Sequence, residues 1–267
     1  IVSRYLFVAY AIFTGQEKKF KAGRYIVPPR VSIKGLVRAF AEGKGESEDI
    51  TVTVPEGTNL ADLGQILSKS GLPVKAEDFL GPDMLKEEGY LFPDTYNFKP
   101  GTWAGEIAEV MKDNFDKKVR QTYSALSESQ LQRAVIIASI LEKEVRRERD
   151  MKLVAGIIEK RLSKNMPLEI DATVTYGVCE PEFLAGQYCD VSMANIVDNL
   201  DINSPYNTYG NKGLPVGPIS NPGLTAIGAA LNQEYSEYLY YLKARDGTTI
   251  FSKTAAEHER ARNKYLK

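Results

Sequence analysis

Histidine is almost missing from this chain of 267 residues, and cysteine is confined to Cys179 and Cys189. A zinc site built on histidines therefore lacks ligands, and two cysteines alone do not complete a tetrahedral set. A Ser-His-Asp arrangement would have to recruit the single histidine, His258, from the polar stretch AAEHER at 255–260. A surface or capping role is the plainer reading there. No G-x-x-x-x-G-K-S/T or G-x-G-x-x-G occurs, so nucleotide chemistry has no footing. No metal and no organic cofactor is expected. Charge is balanced as well: 34 Lys and Arg against 35 Asp and Glu leave a net charge of −1, which speaks against a nucleic-acid partner.

Long apolar runs are lacking too. Residues 1–13 (IVSRYLFVAYAIF) are apolar, but Arg4 interrupts a run too short to span a bilayer. No small-residue cleavage site marks it as a signal peptide. Because the sequence opens at Ile1 rather than Met, further sequence is expected upstream. The single Trp stands against 15 Tyr and 10 Phe, rings that suit sugar stacking and core packing equally. The overall composition is that of a soluble globular protein, long enough for one large domain or two small ones.

What is present centres on one helix. Ser127 and Gln130 have capping-box spacing, and from there Leu131, Ala134, Val135, Ala138, Leu141, Glu142 and Val145 share one helical face. Ile137 and Ile140 lie on the opposite side, so the middle of the helix is apolar all round and expected to be buried. A carboxyl at the mouth of such a helix loses solvation, which raises its pKa and suits a general acid. Glu142 is that carboxyl. It also opens the charge run EKEVRRERD at 142–150, and such runs are usually solvated helix ends. The helix alone leaves both readings open.

Elsewhere the pattern alternates. Helices are expected over 5–13, 32–41 (opened by Ser32, followed by Gly43), 60–67 and 152–162. Strands are expected over 24–27, 50–54 and 173–176, with a polar linker at 44–49 and a turn at Pro55-Glu56-Gly57. Residues 20–28 with the helix 33–41 echo residues 88–93 with a helix at 103–111, each reading as glycine, aromatic-rich strand, proline and amphipathic helix. Duplication and coincidence explain this equally well. The Asn-, Gly- and Pro-rich stretch 200–223 is long for a structureless connection, and Pro215, Pro218 and Pro222 would stiffen it over a cleft. A hairpin through Asp246-Gly247 and a polar helix close the chain. Cys179 and Cys189 would pair in an oxidising compartment and stay free in a reducing one.

Several segments then fall into a known order: FKAGRY (20–25), EGYLFPDTY (88–96), ASILEKE (138–144), DATVTYG (171–177) and SPYNTYGNKGLPVGPISNPG (204–223). In this order they resemble the YceG-like endolytic murein transglycosylases over nearly the whole chain. The resemblance implies an α+β fold in which a small LysM-like module, here residues 1–48 without its opening strand and first helix, precedes a mixed α/β catalytic domain at 49–267. It implies a membrane-anchored bacterial enzyme, with a single-pass anchor upstream of residue 1. The enzyme would lie on the extracytoplasmic face of the cytoplasmic membrane, cutting peptidoglycan glycan strands alongside cell-wall synthases. The family's catalytic glutamate falls on Glu142, the residue that burial also selects. Substrate contacts fall on Tyr96, Glu144, Asp171, Thr173, Tyr176, Asn207, Tyr209 and Asn221. Glu169 stands where the family often has glutamine, an extra carboxylate near the substrate. Glu144 lies about 200° around the helix from Glu142 and should not face the same cleft. Two rival functions remain: a muramidase using a second carboxylate (Asp94, Asp171 or Glu88), and a glycan-binding protein without turnover.

Overall fold

The computed structural model describes residues 4–22, 25, 31–43 and 49–266. It begins with two helices, α1 (Arg4–Phe13) and α2 (Ile33–Glu42). Ser32 starts α2 by accepting from Gly35 N at 3.1 Å, and Gly43 ends it in the left-handed region, as the cap pattern requires. Phe40 gathers the rings of Phe7, Phe20 and Tyr25 around it, with centroids 5.6, 5.8 and 4.4 Å away. The strand expected at 24–27 and the linker's residues 44–48 lie outside the described residues, Tyr25 excepted.

The next segment encloses helices between two strands. β1 (Ile50–Thr53) pairs antiparallel with β2 (Thr95–Phe98), Ile50 opposite Phe98 and Thr53 opposite Thr95. β-branched residues suit this half-buried ribbon: Val52 points inward, while Thr51 and Thr53 bond across it to Asn97 and Thr95. Between the strands run α3 (Leu60–Ser68) and short 3₁₀ turns at Ala76–Phe79 and Met84–Glu87. Leu60, Leu63, Leu67, Phe79 and Leu91 are fully buried here, joined by Ile107 and Met111 of α4 (Ala104–Phe115). Each such side chain contributes about 1.5–3 kcal/mol of burial. Strands enclosing helices thus occur at 50–98, whereas the described part of residues 1–48 carries helices and connecting segments.

A second core is built on α5 (Glu128–Glu144). Its capping box forms as the spacing requires, Ser127 Oγ accepting from Gln130 N while Gln130 Oε1 accepts from Ser127 N. Every residue from Ala134 to Leu141 is buried. Around it pack α6 (Glu148–Ser163), α7 (Asp171–Leu184) and α8 (Leu224–Leu231). The chain closes with the hairpin β3 (Tyr240–Lys243) and β4 (Thr249–Ser252), against which α9 (Ala255–Tyr265) lies. The fold is mixed α+β, largely helical with two small sheets. Among the described residues no helix is long and apolar enough to cross a membrane.

Two expectations are corrected. The strand at 173–176 is instead the first half of α7. The β preference of Thr173, Val174 and Thr175 yields to burial of Val174, Tyr176, Cys179 and Phe183 on one helix, and Thr173 Oγ1 donates back to Ile170 O at 2.7 Å. Residues 88–93 form a turn rather than a strand, with Tyr90 N bonded to Glu87 O, so the apparent repeat keeps only its helices. The stretch 200–223 is pinned internally: Asn207 donates to Leu200 O and Ile202 O, and Pro215, Pro218 and Pro222 are buried. Cys179 and Cys189 are disulfide-bonded, tying the second half of α7 to the following segment.

Candidate active site

Glu142 lies in the last turn of α5, half-buried, where three segments converge. Gly223 N donates to Glu142 Oε1 at 3.0 Å. The loop carrying Gly223 is pinned to the same helix: Ile219 N donates to Ser139 Oγ at 3.1 Å, and Ser220 Oγ donates to Ser139 O at 2.9 Å. The third segment is the turn after β1. Gly57 N donates to Asn221 O and Asn221 N to Thr58 O, each at 2.9 Å, which fastens turn to loop. Glycine is required at two places. Gly57 has φ +76°, and a Cβ there would lie 3.2 Å from Glu142 Cβ; a Cβ on Gly223 would lie within 2.4 Å of Glu56 Cδ. Burial pushes the Glu142 carboxyl up to about 7, and the Glu56 charge adds to it, while the Gly223 N–H and Lys143 oppose the rise.

Behind this surface sits a second carboxyl, Glu88, 2% exposed. Its Oε2 accepts from Leu60 N at 3.1 Å and Tyr176 Oη at 3.0 Å, and its Oε1 accepts from Asn221 Nδ2 at 3.2 Å. Asn221 Nδ2 also donates to Thr58 O, and Asn221 Oδ1 accepts from Leu91 N. One buried network thereby joins α3, α7 and the loop behind Glu142. Burial raises Glu88 to about 7 against these donors.

Glu144 faces elsewhere. It lines a cleft of about 550 Å³ together with Asp171, Tyr209, Tyr241, Lys243 and His258. A neighbouring cleft shares Glu144 and Asp171 and reaches Lys143 and Tyr176. Glu142 lines neither. Burial lifts Glu144 to about 7, with the Asp171 charge adding to it.

The YceG-like family profile matches residues 1–264. The chain belongs to the YceG-like family. It is 30% identical over its whole length to the endolytic murein transglycosylase of Bacillus subtilis (strain 168), spanning 78% of that protein. Over 90% of its length it is 29% identical to the endolytic murein transglycosylase of Streptococcus pneumoniae (strain D39), spanning 50% of it. A crystal structure of a yceG-like protein from Listeria monocytogenes superposes with a TM-score of 0.68 at 29% identity, covering 97% of this chain and 90% of that one.

In this YceG-like chain the residues expected to touch substrate divide into two groups. Thr173, Tyr176, Asn207, Asn221 and Tyr96 are buried and bonded within the protein. Thr173 meets Thr208, Tyr176 meets Glu88, and Tyr96 Oη donates to Phe92 O at 2.5 Å. Their polar groups are engaged inside the protein, as is usual for buried side chains, and Tyr176 also lines the neighbouring cleft. Glu144, Asp171 and Tyr209 do face a cleft, with Tyr209 Oη donating to Asp171 Oδ1 at 2.6 Å. Glu169 is paired with Arg161. Sequence reasoning missed Glu56, Gly57, Ser139, Ser220 and Gly223. Pro55-Glu56-Gly57 carried a turn signal, but nothing in it pointed to Glu142.

Proposed function

We propose that this chain is an endolytic murein transglycosylase with Glu142 as its acid and base. The observation that carries the reading is a half-buried carboxyl raised to about 7, fixed through one oxygen by Gly223 N and without a hydrogen bond on the other among the described residues. Protonated, Glu142 donates to the glycosidic oxygen between N-acetylmuramic acid and N-acetylglucosamine as the bond to the anomeric carbon breaks. The resulting carboxylate takes the proton of the muramic C6 hydroxyl, whose oxygen closes onto the anomeric carbon as a 1,6-anhydro ring. No water is consumed, and Glu142 ends as it began.

The muramidase alternative needs a second carboxylate. Asp94 is held by Lys118 and Asn114, Asp171 by Tyr209, and Glu88 by its buried network. The sequence-level candidates are therefore engaged elsewhere. The LysM-like module expected at residues 1–48 stays part of this proposal, and the strand–helix–strand unit at 50–98 is a second candidate for that role. An anchor upstream of residue 1, an extracytoplasmic location and a partnership with cell-wall synthases complete it; the Cys179–Cys189 bond supports an oxidising compartment.

The test is mass spectrometry of purified peptidoglycan digested with the native chain and with Glu142→Gln. Anhydro-muropeptides are expected from the native chain, with a loss of about 10²–10⁴-fold in the variant, the range for a general acid. Reducing-end products would make it a hydrolase. Glycan binding without turnover in either form would make it a binding protein.

A further inference from the structure

The mechanism leaves a second carboxylate beside Glu142 unused. Glu56 sits on the turn between β1 and α3, exposed, with no hydrogen bond or ion pair among the described residues. The backbone of the turn that carries it is fixed. Thr58 Oγ1 donates to Pro55 O at 2.6 Å, closing the turn, and Gly57 and Thr58 are bonded to Asn221 on the loop behind the acid. Gly223 lies between the two carboxyl groups: its N–H touches Glu142 Oε1, and the Glu56 carboxyl fills the place where a Cβ of Gly223 would stand.

We propose that Glu56 is the partner carboxylate of Glu142: facing it across Gly223, its negative charge keeps the acid's proton in place until the glycosidic oxygen takes it. Two like carboxyls in unlike surroundings divide the work. Water solvates the charge of the exposed one, and the proton resides on the half-buried one. The other charged group facing Glu142 is Lys143 on its own helix, which acts in the opposite sense; residues 219–223 bring no titratable side chain. Because Glu56 belongs to the 50–98 unit and Glu142 to the helical core, the acid is complete only where the two meet. Glu56 acts through Glu142 and is a positioning residue. The inference rests on the reading of Glu142 as the acid.

The test has a readout independent of turnover. Glu142 is titrated by carboxyl ¹³C NMR of glutamate-labelled full chain, its signal identified by its loss in Glu142→Gln. Glu56→Gln is expected to lower the midpoint by about half a unit to one unit, the scale of a screened like-charge pair several ångströms apart. The basic limb of kcat/KM should move the same way, with activity at pH 8 falling roughly three- to ten-fold. Glu56→Asp, which keeps the charge, should recover most of both shifts, and thermal midpoints should be unchanged at this exposed site. An unmoved Glu142 midpoint in Glu56→Gln overturns the proposal, as does Glu56→Asp behaving like Glu56→Gln. Reducing-end products lost in Glu56→Gln would also overturn it, by making Glu56 the base of a hydrolase. A moved midpoint without anhydro product from the native chain would uphold the pairing while refuting the transglycosylase reading.

Discussion

Glu88 offers the sharpest test of the energetics behind the site. Its carboxyl is buried and receives three donors, from Leu60 N, Tyr176 Oη and Asn221 Nδ2, yet burial still carries it up to about 7. Replacing it with glutamine preserves shape and removes the titration. The amide keeps one accepting oxygen and turns an NH₂ toward a donor, so one buried bond is lost at about 1–3 kcal/mol. The pH dependence then has a definite sign. A carboxyl whose folded value lies above its unfolded value of 4.5 binds more protons when folded, so its contribution is complete below 4.5 and is lost as pH rises through about 7. In that window the native chain loses about 1.4 kcal/mol per pH unit on account of Glu88, a loss that Glu88→Gln does not suffer. Between pH 5 and 7, where the slope halves as pH reaches the folded value, this amounts to about 2 kcal/mol, on the scale of the lost bond. Glu88→Gln is therefore expected to be less stable than the native chain at pH 5, and equal to it or more stable near pH 7.5. Urea unfolding followed by circular dichroism at several pH values measures the difference, and the other raised carboxyls cancel in the comparison. A stability gap that stays constant from pH 5 to 7.5 would refute the reasoning.

Two further predictions concern the frame. Ser127→Ala removes the acceptor for Gln130 N at the head of α5 and should cost about 1 kcal/mol in urea unfolding, with activity kept because Glu142 lies at the opposite end. Replacing Cys179 and Cys189 together with serine frees a short loop and should cost about 2–3 kcal/mol; non-reducing mass spectrometry of the native chain should show a two-hydrogen deficit, and an unreduced chain at full thiol mass would contradict the bond.

Where one local signal decides, the sequence is readable. The capping box and apolar run give α5 its start and its burial, β-branched residues give β1, and Asp246-Gly247 gives the hairpin. α7 is misread because Thr173, Val174 and Thr175 carry a genuine β preference that only tertiary contacts override. The missed site residues share a different cause. Glu56 and Gly223 sit in turns, and turn sequence reports backbone geometry rather than what the turn will touch. Their meaning appears only when Thr58 and Asn221 bridge and bring both carboxyl groups to one glycine.

The same distinction explains why burial could single out Glu142 without explaining it. Helical periodicity predicts lost solvation at the end of an apolar helix, and that is the largest cause of its raised pKa. Glu144, two residues on, is raised as far by the same cause yet faces another cleft, so burial alone does not pick an acid. The difference lies in what each carboxyl meets. Glu144 meets the hydroxyl of Tyr241 and the charge of Asp171. Among the described residues, Glu142 meets one backbone N–H that holds an oxygen in place, has no hydrogen bond on the other oxygen and sits beside the unpaired charge of Glu56. A carboxyl held by one oxygen keeps the other ready to give its proton, and the loop that holds it is fixed by Ser139, which lies one turn earlier on the same helix. The helix that buries the acid thus also anchors the loop that orients it.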